Sequence, residues 1–160
     1  MKGPSESHGL TSDNERDQFL QDIFAMDADP PDHSRATECL ALLQEHEANF
    51  VDTSQASAYW NAVSFEYFHL AQASAKKGDT SVALAHVGHA LVFAAKSSYD
   101  VKSDWIPYIE GTKAYLEGDL PALQKCMNRC QENRVVLQRL YKGLRQRGVV
   151  SYNEDYYQDL

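Results

Sequence analysis

The sequence predicts an all-α fold of about seven helices in a single domain, and three observations carry that expectation. Apolar residues recur at helical spacing in one segment after another. A helix-ending Gly stands directly before a helix-starting Asp twice, at Gly78-Asp79 and Gly118-Asp119. No stretch sustains period-two alternation, since runs such as "GVVSY" are short and isolated. The 160 residues suit one domain, and a hydrophobic content of 43% with 11% aromatics supplies a continuous core.

Residues 1–12 are polar and rich in Gly, Ser and charge, so the composition predicts a disordered N-terminal arm. Asp13 is the candidate cap of a first helix carrying Phe19, Leu20, Ile23, Phe24 and Met26, and "DADPPD" stops it. Ser34 is the candidate cap of a second, with Cys39, Leu40, Leu42, Leu43, His46 and Phe50 at mostly helical spacing. A third and longer helix is expected from about Gln55 to Lys77, ended by Gly78. Asp79 or Thr80 starts a fourth, which runs to about Lys96. Ser103 is the candidate cap of a fifth, with Pro107 near its first turn, where a missing N–H does least harm. Gly118 ends it, and Asp119 starts a sixth with Pro121 in its first turn. Asn133 caps a seventh, "RVVLQRLYKGLRQR", which stops at Gly148. The helical domain thus spans 13–148, followed by an acidic, tyrosine-rich tail over 149–160.

The two Gly-Asp steps lie 40 residues apart, each joining two helical stretches. Gly takes the left-handed turn after one helix and Asp caps the next, a short connection that makes antiparallel pairs. The first pair resembles a tetratricopeptide repeat. Leu70-Ala71 occupies its large-then-small doublet and Gly78 its terminal glycine, while Ala83, Ala90 and Leu91 match the small and leucine positions of the second helix. The second pair keeps Gly111 and Gly118 but has Leu123 and Cys130 where the family has alanines. The spacing of 40 also departs from the family period of about 34. The resemblance covers residues 55–132 and implies a right-handed array of antiparallel helix pairs, with 133–147 as a terminal capping helix.

It further implies that the first helices of the pairs line a concave surface for a peptide or partner helix. Phe65, Phe68 and Gln72 would face it from one pair, and Trp105, Tyr108, Thr112 and Tyr115 from the other. Aromatic side chains suit such a surface because they offer large contact area with few torsions to freeze. Alternatively the N-terminal helices fill this groove and bury the aromatics as core. Basic residues are sparse there, Lys76 and Lys113 being the nearest, so an apolar or aromatic segment is a better ligand than an acidic C-terminus.

A second candidate is a metal site. Glu66 and His69 stand at i,i+3, a spacing used in carboxylate-bridged helical bundles, and His86 and His89 are also three apart. The bland alternative is ordinary packing, because the histidines flank the stripe of Ala83, Val87, Ala90 and Ala94. Cys126 and Cys130 share a helix face and read as small buried residues without two further ligands. Tyr152, Tyr156 and Tyr157 in the tail would pack onto the last helix, bind another copy, or remain solvated.

A net charge of −8 opposes broad phosphate contact and argues against nucleic acid as a partner. Lys142, Arg145 and Arg147 sit where cations favour a helix C-terminus. The N-terminus lacks the apolar core of an export signal, no run has the length of a membrane span, and the cysteines are odd in number, so a reducing cytoplasm is the expected setting. No nucleophile elbow, phosphate loop or dinucleotide fingerprint occurs, and no cofactor is implied. The expected role is a protein-interaction module or scaffold, chaperone-like in one version. The alternative is a metal-binding helical-bundle enzyme or sensor using Glu66, His69, His86 and His89.

Overall fold

The computed structural model describes residues 9–27, 32–97 and 104–160. They form eight α-helices and no strand: α1 (Asp13–Met26), α2 (His33–Glu45), α3 (Ala56–Lys76), α4 (Thr80–Lys96), α5 (Trp105–Leu116), α6 (Leu120–Arg129), α7 (Arg134–Arg147) and α8 (Tyr152–Asp155). A 3-10 turn, Glu47–Asn49, follows α2. The helix beyond the expected seven is α8, inside the tail.

Of the arm expected over 1–12, residues 1–8 lie outside the described part. Leu10 packs against the N-terminal core and Arg16 donates to its carbonyl at 3.2 Å. Ser12, not Asp13, caps α1: its hydroxyl accepts from Glu15 N–H at 3.1 Å while the Glu15 carboxylate accepts from Ser12 N–H at 3.1 Å. This reciprocal pairing satisfies two donors that a cap one residue later would leave open. Asp32 rather than Ser34 caps α2, accepting from Arg35 N–H at 3.1 Å. Ser103 lies outside the described residues. Asp104 precedes α5, but its carboxylate crosses to the α6–α7 connection, accepting from Gln131 and Asn133 N–H, each at 3.0 Å. Asn133 is held by that contact and makes no cap bond of its own.

The two Gly-Asp turns have the same backbone. Gly78 and Gly118 take φ of 81° and 72°, where a side chain would be strained. Asp79 N–H donates to Ser74 C=O at 3.0 Å and Asp119 N–H to Ala114 C=O at 2.9 Å, which closes the last turns of α3 and α5 in the same way. Asp119 also caps α6 through Ala122 N–H at 3.1 Å, whereas Asp79 makes no side-chain cap bond.

Among the described residues, two apolar clusters form the core. One holds the inner faces of α1 and α2 with Phe50, Tyr59 and Val63; the other joins the later part of α3 to α4, α5, α6, α7 and Tyr152. Helix α3 belongs to both and so is the spine. Small residues on α4 fit this role: Ala83, Val87 and Ala90 are fully buried against it. At the corresponding α6 positions Leu123 and Cys130 are equally buried, so the second pair fills the same space with larger side chains.

Gly111 marks a close approach of α5 to α7. A Cβ there would stand 2.7 Å from Leu137 Cδ1 and 3.2 Å from Cys126 Cβ, and Leu137 is itself fully enclosed. Overpacking of this kind costs about 1–3 kcal/mol, against which Ala gains up to about 1 kcal/mol of helix propensity. Gly111→Ala is therefore expected to lower unfolding free energy by about 1 kcal/mol in a denaturant titration; an unchanged or higher midpoint would show that α7 moves aside freely.

Candidate functional site

Among the described residues, two places bring chemically active side chains together. The first is a buried acid–imidazole cluster at the junction of α1, α2 and α3. Glu66 and His69 lie one turn apart on α3, and Asp27 joins them from the residue that ends α1. The packing of α1 on α3 that sets this up is visible in the edge contact of Phe24 with Phe65, centroids 6.1 Å apart. His69 Nδ1 is 3.6 Å from Glu66 Oε1 and 3.8 Å from Asp27 Oδ1. Both distances exceed a hydrogen bond. Among the described residues, neither carboxylate has a hydrogen-bond partner on either oxygen. Glu66 is 0% exposed, while the His69 and Asp27 side chains keep 12% and 13% of their surface.

The charges answer to this enclosure. Burial lifts the Glu66 carboxyl to about 7, and the neighbouring Asp27 carboxylate adds to the rise against the pull of His69. Burial opposes charge on His69, but the two carboxylates outweigh it and raise the imidazole to about 9. Asp27 is lowered: burial works against its charge, and the adjoining imidazole of His69 is the largest of the effects that outweigh it. The Cys39 thiol on α2, beside Asp27, is pushed up to about 12 by burial and by the two acids, and is held as a neutral thiol.

His86 and His89 lie outside this cluster. His89 is exposed and stacks on Tyr67 at 5.0 Å, and His86 faces the same ring at 6.4 Å. Burial lowers His86, and His89 adds to the effect. Cys126 and Cys130 are buried on α6 and its end, and burial pushes Cys130 up to about 12. Among the described residues, the one group of three metal-type ligands is Asp27, Glu66 and His69. Asp27 was missed in the sequence because it is a long-range partner; no local pattern relates it to Glu66.

The second place is the face shared by α3 and α5. Phe68 meets Trp105 and Tyr108 at 5.2 and 5.1 Å, and Phe65 stacks on Trp105 at 5.1 Å. The Trp105 indole donates to Ser64 Oγ at 3.0 Å, and that hydroxyl donates to Ala90 C=O at 2.7 Å, tying α5 to α3 and α4. Phe68, Gln72, Tyr108, Thr112 and Tyr115 are all buried. Thr112 donates within its own helix to Tyr108 C=O. The C-terminal segment covers the part of this face around Gln72 and Tyr115, whereas Phe24 of α1 meets Phe65 at the other end. Gln72 Nε2 donates to Tyr152 Oη at 3.1 Å, and Tyr115 Oη donates to Asp155 Oδ2 at 2.6 Å while accepting from Ser151 N–H at 2.8 Å. Arg147 on α7 pairs with the other Asp155 oxygen. Gly143 faces Asp155 without a side chain, and a Cβ there would collide with the carboxylate. Lys76 approaches Tyr156 and Tyr157, each ring centroid 5.0 Å from Nζ.

Among the described residues no helix is long and apolar enough to cross a membrane. No family model matches the chain, and neither a curated protein nor a solved structure matches it.

Proposed function

We propose that the chain is a protein-interaction module of tetratricopeptide-like helix pairs, and that the α3–α5 face takes a short helical segment bearing tyrosines and an acid. In the free protein the chain's own residues 151–157 occupy that face. The observation that supports this reading is the double polar anchoring of Tyr152 and Asp155, both buried, by Gln72 and Tyr115. Buried polar pairs of this kind select a partner by chemistry, because a segment lacking them would strand the Gln72 amide and Tyr115 hydroxyl. The recognition is of the helix-in-groove type, with aromatic anchors in an apolar trough. A competing partner would carry an aromatic residue followed three positions later by a carboxylate, as Tyr152 and Asp155 do.

The reading is tested with the full chain carrying Asp155→Ala, which frees the segment, and a labelled synthetic peptide of residues 149–160. Saturable binding in fluorescence anisotropy is expected for the variant, weakened when the peptide lacks the acid, and absent for the intact protein at equal concentration. Failure of the freed face to take up the peptide sinks the proposal.

A further inference from the structure

We propose that Asp27, Glu66 and His69 are the protein ligands of a divalent transition-metal site, with Zn²⁺ the ion that their geometry fits. This goes beyond the interaction reading and does not depend on it. Three observations support it.

Spacing is the first. Ligand atoms about 2.0–2.1 Å from a tetrahedral zinc stand roughly 3.4 Å from one another. The His69 Nδ1 separations of 3.6 Å to Glu66 Oε1 and 3.8 Å to Asp27 Oδ1 lie close to that edge length. A direct hydrogen bond between the same atoms would draw them under about 3.2 Å. All three ligand atoms lie within 4.8 Å of one another, so a small closing movement brings them onto one ion.

Saturation is the second. Glu66 is fully enclosed, and both of its oxygens are without a hydrogen-bond partner among the described residues. Enclosed carboxylates are ordinarily hydrogen-bonded, so this one is aimed at a place where a cation would satisfy it.

Charge forms the third. Two carboxylates and a neutral imidazole balance a divalent ion, and this mixed oxygen and nitrogen set suits zinc more than calcium or magnesium, which prefer oxygen alone. The Asp27 and Glu66 oxygens are themselves enclosed, so an entering ion reaches them through a local opening of the junction. Three protein ligands would leave a fourth position, which zinc ordinarily fills with a water.

The test titrates the full chain, freed of metal by a chelator and exchanged into buffer near neutral pH, with ZnCl₂ by calorimetry and with Co²⁺ by visible absorption. One equivalent of zinc per chain and a raised melting temperature are expected. The Co²⁺ complex should show d–d bands of a tetrahedral oxygen and nitrogen site without a thiolate charge-transfer band. Glu66→Gln should weaken zinc by about 100-fold or more, at or beyond the 10–100-fold that altering an outer partner of a metal site costs. His89→Gln should leave zinc affinity unchanged. Circular dichroism checks that Glu66→Gln is folded; if it is not, Asp27→Asn at the end of α1 reads the same loss. No saturable binding to the intact chain overturns the proposal. So does undiminished binding in a folded Glu66→Gln or Asp27→Asn variant, or a thiolate band, which would move the metal to the cysteines.

Discussion

Replacing Asp155 with alanine is expected to cost about 3 kcal/mol of stability and to release the C-terminal segment. The carboxylate is fully enclosed and holds three things: it accepts from Tyr115, pairs with Arg147, and sits over Gly143. Its loss leaves the Tyr115 hydroxyl inside without an acceptor, while Arg147, 37% exposed, keeps much of its water. The cost is therefore dominated by the stranded phenol and the lost docking of Tyr152, not by the arginine. Hydrogen exchange should show the amides of residues 149–160 losing protection while those of α3 and α4 keep theirs. A double-mutant cycle sharpens the result. Gly143→Ala should be severely damaging in the intact protein, where its Cβ meets the carboxylate, and nearly neutral beside Asp155→Ala. Simple additivity of the two changes would show that Asp155 is not what keeps position 143 small.

Glu66→Gln should change stability in the opposite direction when metal is withheld. Glu66 in the fold is raised from its ordinary 4.5 to about 7. Its contribution is thus fully present below about 4.5 and is lost as pH rises through about 7. His69 is raised from 6.5 to about 9, so its contribution is present below 6.5 and lost as pH rises through about 9. Asp27, lowered from 3.8, acts the other way, and its contribution is lost only in stronger acid. The intact protein is therefore expected to be most stable in mild acid and to weaken as pH rises from about 4.5 through about 9. At about 1.4 kcal/mol per unit, the rise of Glu66 from 4.5 to about 7 amounts to about 3–4 kcal/mol. A neutral amide of the same shape removes that dependence. With chelator present, Glu66→Gln should exceed the intact protein by about 1 kcal/mol above pH 7, after the partner lost by His69 is counted. Denaturant midpoints across the pH range decide this: an intact protein whose stability rises toward alkaline pH contradicts the buried-acid account.

The helical pattern was legible because it is local. The bounds of α4 follow from one glycine, one aspartate and a stripe of small residues, and they stand where the spacing puts them. The Gly-Asp turns are likewise complete within a few residues. Caps were less legible, since Ser12 and Asp13, or Asp32 and Ser34, are chemically near-equivalent, and only backbone geometry chooses between them. Long-range partners were not legible at all. Glu66 and His69 were visible as a pair, but Asp27 reaches them only because α1 folds back onto α3. The cover over Gln72 and Tyr115 was missed for a related reason. "SYNEDYYQDL" is polar in composition, and its burial depends on matching each polar group to one specific partner, which hydropathy does not register.

The acid–imidazole cluster is divided between helices of unequal grip. Glu66 and His69 ride on the 21-residue α3, whereas Asp27 ends α1, which buries only Leu20 and Ile23. Helices held by so few apolar contacts open locally long before the whole fold does. Exposure of Glu66 to solvent is therefore timed by the fraying of α1. Each opening carries Asp27 away while the other two stay in register, so the cluster exchanges with its surroundings on a clock faster than global unfolding.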